Sequence, residues 1–416
     1  MPKYSAMRRA TVAFIFVTVV LDVVALGVVI PVLPKLIEGF LSGDTAQAAH
    51  WVGIFGTVWS LMQFVCAPLL GALSDRFGRR PVILISNFGL GLDYIFMALA
   101  PSLAWLFVGR VISGITGASY STAGAYIADV TPPEKRAAGY GIMGAAWGLG
   151  FVLGPALGGI LGGMDPRLPF WVSAALTLLN ACYGLFILPE SLPKERRTKR
   201  ADFSKANPLG SLRLLRSHHE LWGLAGVYTL YMLAHQVMPS VFVLYTSFRY
   251  GWNERTIGLT LAAVGISSVV VQGALVKPIV ARLGERRALL VGLVFGVISF
   301  LIWGLAPSDR WFVLAIPVGA FMGLFGPSVQ GLMTKRVSVS EQGQLSGANT
   351  SIQGLTGMVG PLIFTSLFAG AISTFAGLGL PGAPFLAGAS MLFIAFLLAL
   401  SVTSSSSSSS SPEAHP

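Results

Sequence analysis

The sequence predicts an all-α integral membrane protein with twelve transmembrane helices in two pseudo-symmetric six-helix bundles. The mean hydropathy is +0.73, and only 11% of the 416 residues are charged, against about 25% in soluble domains. The apolar residues form runs of about 20, the length at which a helix crosses a bilayer. A transmembrane barrel would show shorter, alternating segments instead.

We expect one helix over each of the twelve runs. The first run is too long for a signal-peptide core and has no small-residue cleavage site after it, so it should be retained as a helix. The runs cover residues 11–34, 51–73, 81–100, 104–130, 138–162, 169–189, 221–246, 256–281, 288–306, 311–334, 344–370 and 383–403.

Basic residues are concentrated on one side of these helices. With the N-terminus inside, 21 of the 28 Lys and Arg residues fall in cytoplasmic segments and five in outer loops. This bias predicts a multi-pass cell-membrane protein with both termini in the cytoplasm. The net charge of +11 is therefore a topology signal and requires no nucleic acid. The two cysteines, Cys66 and Cys182, lie inside predicted helices, so we expect no metal cluster.

The chain repeats itself. Several motifs recur at a constant offset of 206 residues: Gly78 with Gly284, Arg80 with Arg286, Gly148 with Gly354, and Gly154-Pro155 with Gly360-Pro361. We therefore predict an N-terminal bundle over 1–189, a cytoplasmic linker over 190–220 and a C-terminal bundle over 221–403. The Ser-rich tail, 404–416, should be disordered. In transporters built from such repeats, the substrate site lies near the midplane and access alternates by rocking.

Three charged residues lie within predicted helices, namely Asp22, Asp93 and Arg110. Each costs at least about 2.5–3.5 kcal/mol at mid-membrane and so requires a reason. Asp93 and Arg110 flank one turn at similar distances and should share a depth. They form either a structural ion pair or a proton or substrate site in which Arg110 tunes the carboxylate.

Three uncharged polar residues are further candidates. His235 lies deep in helix 7, where an imidazole could titrate in a proton-coupled cycle or stay neutral in a hydrogen bond. Gln63 and Gln272 could contact a polar ligand or bond across helices.

Two motifs involve glycine. Helix 5 carries Gly150, Gly154, Gly158 and Gly159 around Pro155. These residues either serve only to pack the helix closely against its neighbours or also allow a bend that a rocking motion uses. The turn GALSDRFGRRP contains the densest charge in the chain. Its candidate gating residues are Gly71, Asp75, Arg76, Gly78, Arg79 and Arg80.

Asp75 is unfavourable where we expect it, at the C-terminal, partly negative end of helix 2. We hypothesise that it docks on the N-terminus of helix 11, near 344–347, and latches the two halves together. The second copy of the motif has Ala281 in its place.

Together these motifs resemble one family. GALSDRFGRRP resembles the cytoplasmic signature of major facilitator transporters, and GLGFVLGPALGGILGG is similar to their antiporter motif. LDVVALGVVIPVLP, LDYIFMALAP, GRVISGITGAS and YIADVTPPEKRA, with FRYGW and QGQLSG later in the chain, resemble the tetracycline/proton antiporters.

The resemblance implies export of the drug as a cationic magnesium chelate in exchange for a proton. It implies a coupling role for Asp22, places Gln63 and Asp93 by the substrate, and makes Arg110 a charge partner. Asp75, Arg76 and Arg80 would be gating residues. The chain departs from the family at Ser268 and Gly296, where a histidine and an aspartate are common.

We therefore expect a proton-coupled efflux antiporter of a small amphipathic drug, tetracycline-like, acting as a monomer in a bacterial inner membrane without a cofactor. The alternative is a major facilitator transporter of another drug or small solute, by symport or uniport. No nucleophile with a base, metal-ligand set or phosphate loop suggests an enzyme. A sensor or scaffold would not require both Asp93 and Arg110 in the membrane.

Overall fold

The structure, a computed structural model, describes residues 2–117, 119–132, 136–198, 210–218 and 221–404. The tail predicted to be disordered, 404–416, lies outside the described residues except for Ser404, which ends the last helix. Part of the predicted linker also lies outside the described residues. In the described part of the chain, all regular secondary structure is helical.

The α-helices are numbered α1 to α18 in chain order. Their bounds are α1 Pro2–Val29, α2 Leu33–Phe40, α3 Thr45–Phe77, α4 Arg79–Ala98, α5 Leu103–Thr116, α6 Ser119–Val130, α7 Arg136–Gly162, α8 Leu168–Ile187, α9 Arg213–Ser217, α10 Trp222–His235, α11 Val237–Tyr250, α12 Glu254–Val270, α13 Val276–Leu305, α14 Asp309–Leu314, α15 Ile316–Ala320, α16 Phe325–Thr334, α17 Gln342–Ile372 and α18 Ala383–Ser404.

These helices confirm the predicted fold class. Among the described residues, ten helical spans are long and apolar enough to cross a membrane. One of them, Glu254–Leu305, runs for 52 residues and is interrupted by Gly284, whose φ of 75° is not helical. It therefore contains two of the predicted helices. The predicted fourth helix forms two shorter pieces, α5 and α6.

The chain divides into two compact units. Unit 1 comprises residues 1–208 and 242–266, and unit 2 comprises residues 209–241 and 267–416. The boundaries drawn from the repeat, at 189 and 221, stay a prediction.

Unit 1 is held together by helices that approach each other at small residues. A Cβ built on Gly154 of α7 would lie 2.6 Å from the Cα of Gly27 on α1. On α4, a Cβ at Gly91 would lie 2.6 Å from Leu178 of α8. Such contacts let polar backbones pack closely where no water is present.

Unit 2 is built around α13 and α18. Four aromatic side chains meet here with ring centroids 5.6–6.2 Å apart, namely Phe300, Trp303, Phe312 and Phe385. The indole N–H of Trp303 donates to the Phe312 carbonyl at 3.0 Å. This satisfies the polar atom of an otherwise apolar cluster.

Candidate functional site

Asp22 is tied to a second helix of unit 1. The side-chain amide of Asn180 on α8 donates to Asp22 Oδ1 at 2.8 Å and to the Thr18 carbonyl at 3.0 Å. Thr18 and Asp22 lie one turn apart on α1, so a single amide group joins α8 to that face of α1. Asn87, on α4, lies near the half-buried Asp22 carboxylate.

Asp93 lies deeper, on α4, with only 2% of its surface exposed. Neither of its carboxylate oxygens has a hydrogen-bond partner. One oxygen lies against α5, 3.3 Å from a Cβ built on Gly109. Keeping a charge on a buried and unpartnered carboxylate is expensive, so this position suits a group that gains and loses a proton.

Arg110 follows Gly109 on α5 and is within electrostatic range of Asp93. No hydrogen bond joins the two, since both Asp93 oxygens lack a partner. The guanidinium instead lies 5.2 Å from the centroid of the Trp59 ring on α3, a cation–π distance. The structure thus places the two groups within electrostatic range of each other without joining them by a hydrogen bond.

Gln63 lies one turn beyond Trp59 on α3. Its side-chain nitrogen is 3.7 Å from a Cβ built on Gly117, just after the end of α5. Asp93, Arg110 and Gln63, three of the predicted site residues, therefore lie on three helices that pack together, with α5 in the middle.

His235 and Gln272 belong to unit 2. His235 ends α10 and is exposed, with its ring 6.1 Å from that of Tyr231. Tyr231 stacks on Phe325 with centroids 3.7 Å apart and donates to the Met322 carbonyl at 3.3 Å. Gln272 lies in a π-helix, Val271–Leu275, and is also exposed.

The charged turn forms a network centred on Arg79. Its guanidinium reaches Asp75 at 2.6 Å and Asp129 at 3.1 Å, while its backbone N–H donates to Glu190 at 2.9 Å. Glu190 also pairs with Arg197 at 3.5 Å. The remaining residues of the motif lie around this network: Gly71 accepts from Ser74, Arg76 lies over the Phe77 ring, and Arg80 donates to the Leu185 carbonyl.

Asp75 thus has a cationic partner within its own unit. The hypothesis that it docks on helix 11 of the other half stays a prediction.

The glycines of α7 contact two helices. Cβ atoms built on Gly150 and Gly158 would collide with Val23 and Val28 of α1. On the other side, Gly159 would meet the backbone of Gly258 on α12. Pro155 lies between these contacts, within α7.

Gly296, one of the two departures from the family pattern, lies in a tight space on α13. A Cβ built there would be 3.0 Å from Leu392 and 3.2 Å from Met322. A carboxylate could not be accommodated without displacing these apolar neighbours. Ser268 is half-buried on α12.

Sequence reasoning missed Asn180, Asn87 and Trp59. An asparagine inside an apolar run is a signal that was available for the first two, because an amide in the membrane requires a partner. For Trp59 the sequence offers no signal, since tryptophan is common in apolar helices.

Membrane-spanning helices with charged and amide groups buried among them are typical of membrane transporters. The model of the Major Facilitator Superfamily matches residues 15–361. The chain therefore belongs to the Major Facilitator Superfamily.

Individual relatives within this superfamily are similar over most of the chain. The chain is 39% identical to the class C tetracycline resistance protein of Escherichia coli, over 87% of this chain and 90% of that one. It is 37% identical to the class G tetracycline resistance protein of Vibrio anguillarum, over 87% and 91%. The crystal structure of the human organic anion transporter MFSD10 (TETRAN) superposes with a TM-score of 0.70 at 26% identity, covering 94% of this chain and 99% of that one.

Proposed function

We propose that this protein is a proton-coupled antiporter that exports a small amphipathic drug of the tetracycline type by alternating access. The observation that carries the proposal is Asp93, a buried carboxylate with no hydrogen-bond partner beside the Arg110 guanidinium. The likeness to two tetracycline resistance proteins supports the choice of substrate.

Asp93 alternates in this proposal between a protonated and a charged form. The proton neutralises the carboxylate while it is buried, which avoids the cost of an unpaired charge. When the proton leaves, the charged form attracts either Arg110 or a cationic substrate. Binding of the drug and binding of the proton then compete for one group, which is the requirement for exchange.

Asp22 has a different environment and, we propose, a different role. It accepts a hydrogen bond from the Asn180 amide, which holds the carboxylate against α8. A proton or substrate that weakens this bond loosens the junction between α1 and α8. Asp22 thereby couples occupancy to the packing of unit 1.

The substrate travels as a magnesium chelate with net positive charge, a form that suits a site containing a carboxylate. Gln63 and the Trp59 ring, which lie beside Arg110 and α5, supply a polar contact and an apolar face. We further propose that the protein works as a monomer in a bacterial inner membrane, with both termini in the cytoplasm.

A second candidate is the transport of another organic solute. The packing around Gly296 favours it, because the acidic residue that the family commonly has there would have to displace the Leu392 and Met322 side chains. A substrate with less positive charge would not need that carboxylate.

Inside-out vesicles containing the full chain test the proposal. An imposed proton gradient should drive tetracycline with magnesium into the vesicles, and each addition should release protons from the lumen. Asp93→Asn should abolish both signals. Asp309→Asn, which removes an exposed carboxylate at the start of α14, is the matched control and should leave them intact.

Tetracycline uptake by Asp93→Asn at the wild-type rate would contradict the role of Asp93. Gradient collapse with other organic solutes but not with tetracycline would favour the second candidate. Equal failure of Asp309→Asn would show that the variants are misfolded, and a melting curve of each purified variant distinguishes this case.

A further inference from the structure

The two copies of the repeat contain the same ion pair with its charges exchanged. In unit 1, Arg79 and Asp129 lie 3.1 Å apart. The offset of 206 residues maps them to Glu285 and Lys335, which form a pair of 2.7 Å in unit 2. The turn therefore keeps its architecture in both units, while the surrounding charges differ.

The turns of the two units differ in the acidic residues around them. Unit 1 gathers Asp75, Asp129 and Glu190 around its arginines. In unit 2 the position of Asp75 is taken by Ala281. The turn in unit 2 is consequently left with more positive charge than its carboxylates neutralise.

A cavity of about 470 Å³ opens at this turn of unit 2. Its lining combines three basic residues, one acid and three leucines. The residues are Leu283, Gly284, Glu285, Arg286, Arg287, Leu290, Leu332 and Lys335. Three cations against one carboxylate leave a net charge of +2 on the wall.

The two arginines of the cavity have guanidinium N–H groups that make no hydrogen bond to a described residue. Arg286 uses its Nε to bond Thr403 Oγ1 at 3.0 Å, which fixes the side chain and leaves its terminal nitrogens available. Arg287 is exposed, and the structure shows no hydrogen bond or ion pair from it to any described residue. One guanidinium group can donate two parallel hydrogen bonds to two oxygens of the same phosphate.

We propose that this cavity binds the phosphate of an anionic phospholipid, of the phosphatidylglycerol type. Arg286 and Arg287 hold the phosphate, while Leu283, Leu290 and Leu332 contact the start of the acyl chains. The leucines favour a lipid over a soluble phosphate, since a soluble anion gains nothing from an apolar wall. Basic pockets between membrane helices are suited to such headgroups.

Native mass spectrometry of the purified full chain tests the site. The protein is placed in micelles that contain equal amounts of phosphatidylglycerol and phosphatidylcholine. It is then released from the micelles in the mass spectrometer, and the molecules of each lipid that stay bound are counted. Wild-type protein should retain phosphatidylglycerol preferentially. Arg287→Gln should reduce that retention about fivefold, the effect of one basic residue near an anionic surface. Arg286→Gln should reduce it at least as much.

Arg282→Gln is the matched control, because Arg282 lies in the same segment of α13 but does not line the cavity. It should retain the lipid as the wild type does. An equal loss in Arg282→Gln, or equal retention of both lipids, would overturn the proposal.

Inorganic phosphate and glycerophosphoglycerol, the headgroup without chains, form a further arm. They should displace the lipid poorly; displacement by inorganic phosphate at equal concentration would overturn the lipid in favour of a soluble anion. Arg287 bonds to no described residue, so Arg287→Gln should fold even if Arg286→Gln does not.

Discussion

The amide of Asn180 donates to the Asp22 carboxylate at 2.8 Å, joining α8 to α1 inside a membrane-spanning unit. The same amide holds the Thr18 carbonyl one turn away. Asn180 and Asp22 are 158 residues apart in sequence. The two hydrogen bonds hold α8 and α1 in contact and also fix their relative position along the helix axes.

Replacing Asn180 by Ala should destabilise the protein by about 1.5–3 kcal/mol, because a hydrogen bond to a charged group is lost and Asp22 Oδ1 keeps its desolvation. Reversible unfolding in mixed micelles measures the change. A double-mutant cycle with Asp22→Ala isolates the pair. Strictly additive effects of the two substitutions would show that the bond contributes no coupling.

Gly154→Ala should destabilise unit 1 by about 1–3 kcal/mol, since its methyl group would lie 2.6 Å from the Gly27 Cα and overpack the contact. Gly144→Ala lies on the same helix with no atom within 4 Å of the new methyl group. That control should be neutral or slightly stabilising, because alanine favours helix. Equal melting temperatures for the two variants would contradict the contact.

Gly78→Ala should cost more stability than Gly284→Ala. Both glycines have positive φ, 106° and 75°, with ψ of 157° and 160°. Glycine alone adopts this region readily, so alanine is strained at each by about 1–3 kcal/mol. At Gly78 the new methyl group would also collide with the Glu190 carboxylate, whereas at Gly284 there is no atom within 4 Å. Thermal unfolding of the two variants compares them. Equal melting temperatures for the two variants would mean that the Glu190 side chain moves aside freely, and the reverse order would contradict the prediction.

The way in which the stability of the folded protein falls at acidic pH should depend on Ser338. Its hydroxyl and its backbone N–H both donate to Glu341, and with nearby His218 they hold the pKa of Glu341 below its ordinary value of 4.5. A carboxyl whose pKa is lower in the folded state stabilises the fold above its unfolded pKa. This stabilisation is lost as the pH falls through the folded value.

Ser338→Ala should therefore lower the melting temperature near neutral pH, and the difference from wild type should shrink below about pH 4.5. Melting curves across this range measure it. Ser340→Ala, which removes a neighbouring hydroxyl that contacts Ser338 rather than Glu341, serves as the control. A difference that stays constant with pH would exclude Glu341 as its source.

Hydropathy predicts the helices well because membrane insertion depends on local composition. In the described residues each of the twelve predicted runs is mostly helical, although the interruptions within them were not predicted. Helix 7 breaks between His235 and Val237, and helix 8 contains a π-helix over Val271–Leu275. A proline follows each interruption, Pro239 after the first and Pro278 after the second. Each lacks the N–H that would bond the carbonyl four residues earlier, so the sequence did carry a signal for both positions.

The candidate site was predicted only in part, for a physical reason. The cost of a charge in the membrane singles out Asp22, Asp93 and Arg110 from sequence alone. Which group each one meets depends on how helices distant in sequence pack. Asn180 as the partner of Asp22, and Trp59 as the partner of Arg110, could not be derived from spacing.

The contact between Gly27 and Gly154 has a consequence for genetics. Where a bulky mutation damages a core, a second mutation that trims the neighbouring side chain can restore function. Here the neighbour is already glycine on both sides, with a built Cβ at either position within 2.9 Å of the opposite Cα. Selection for recovered growth after a mutation at Gly154 should therefore yield true revertants or distant changes, and no suppressor at Gly27.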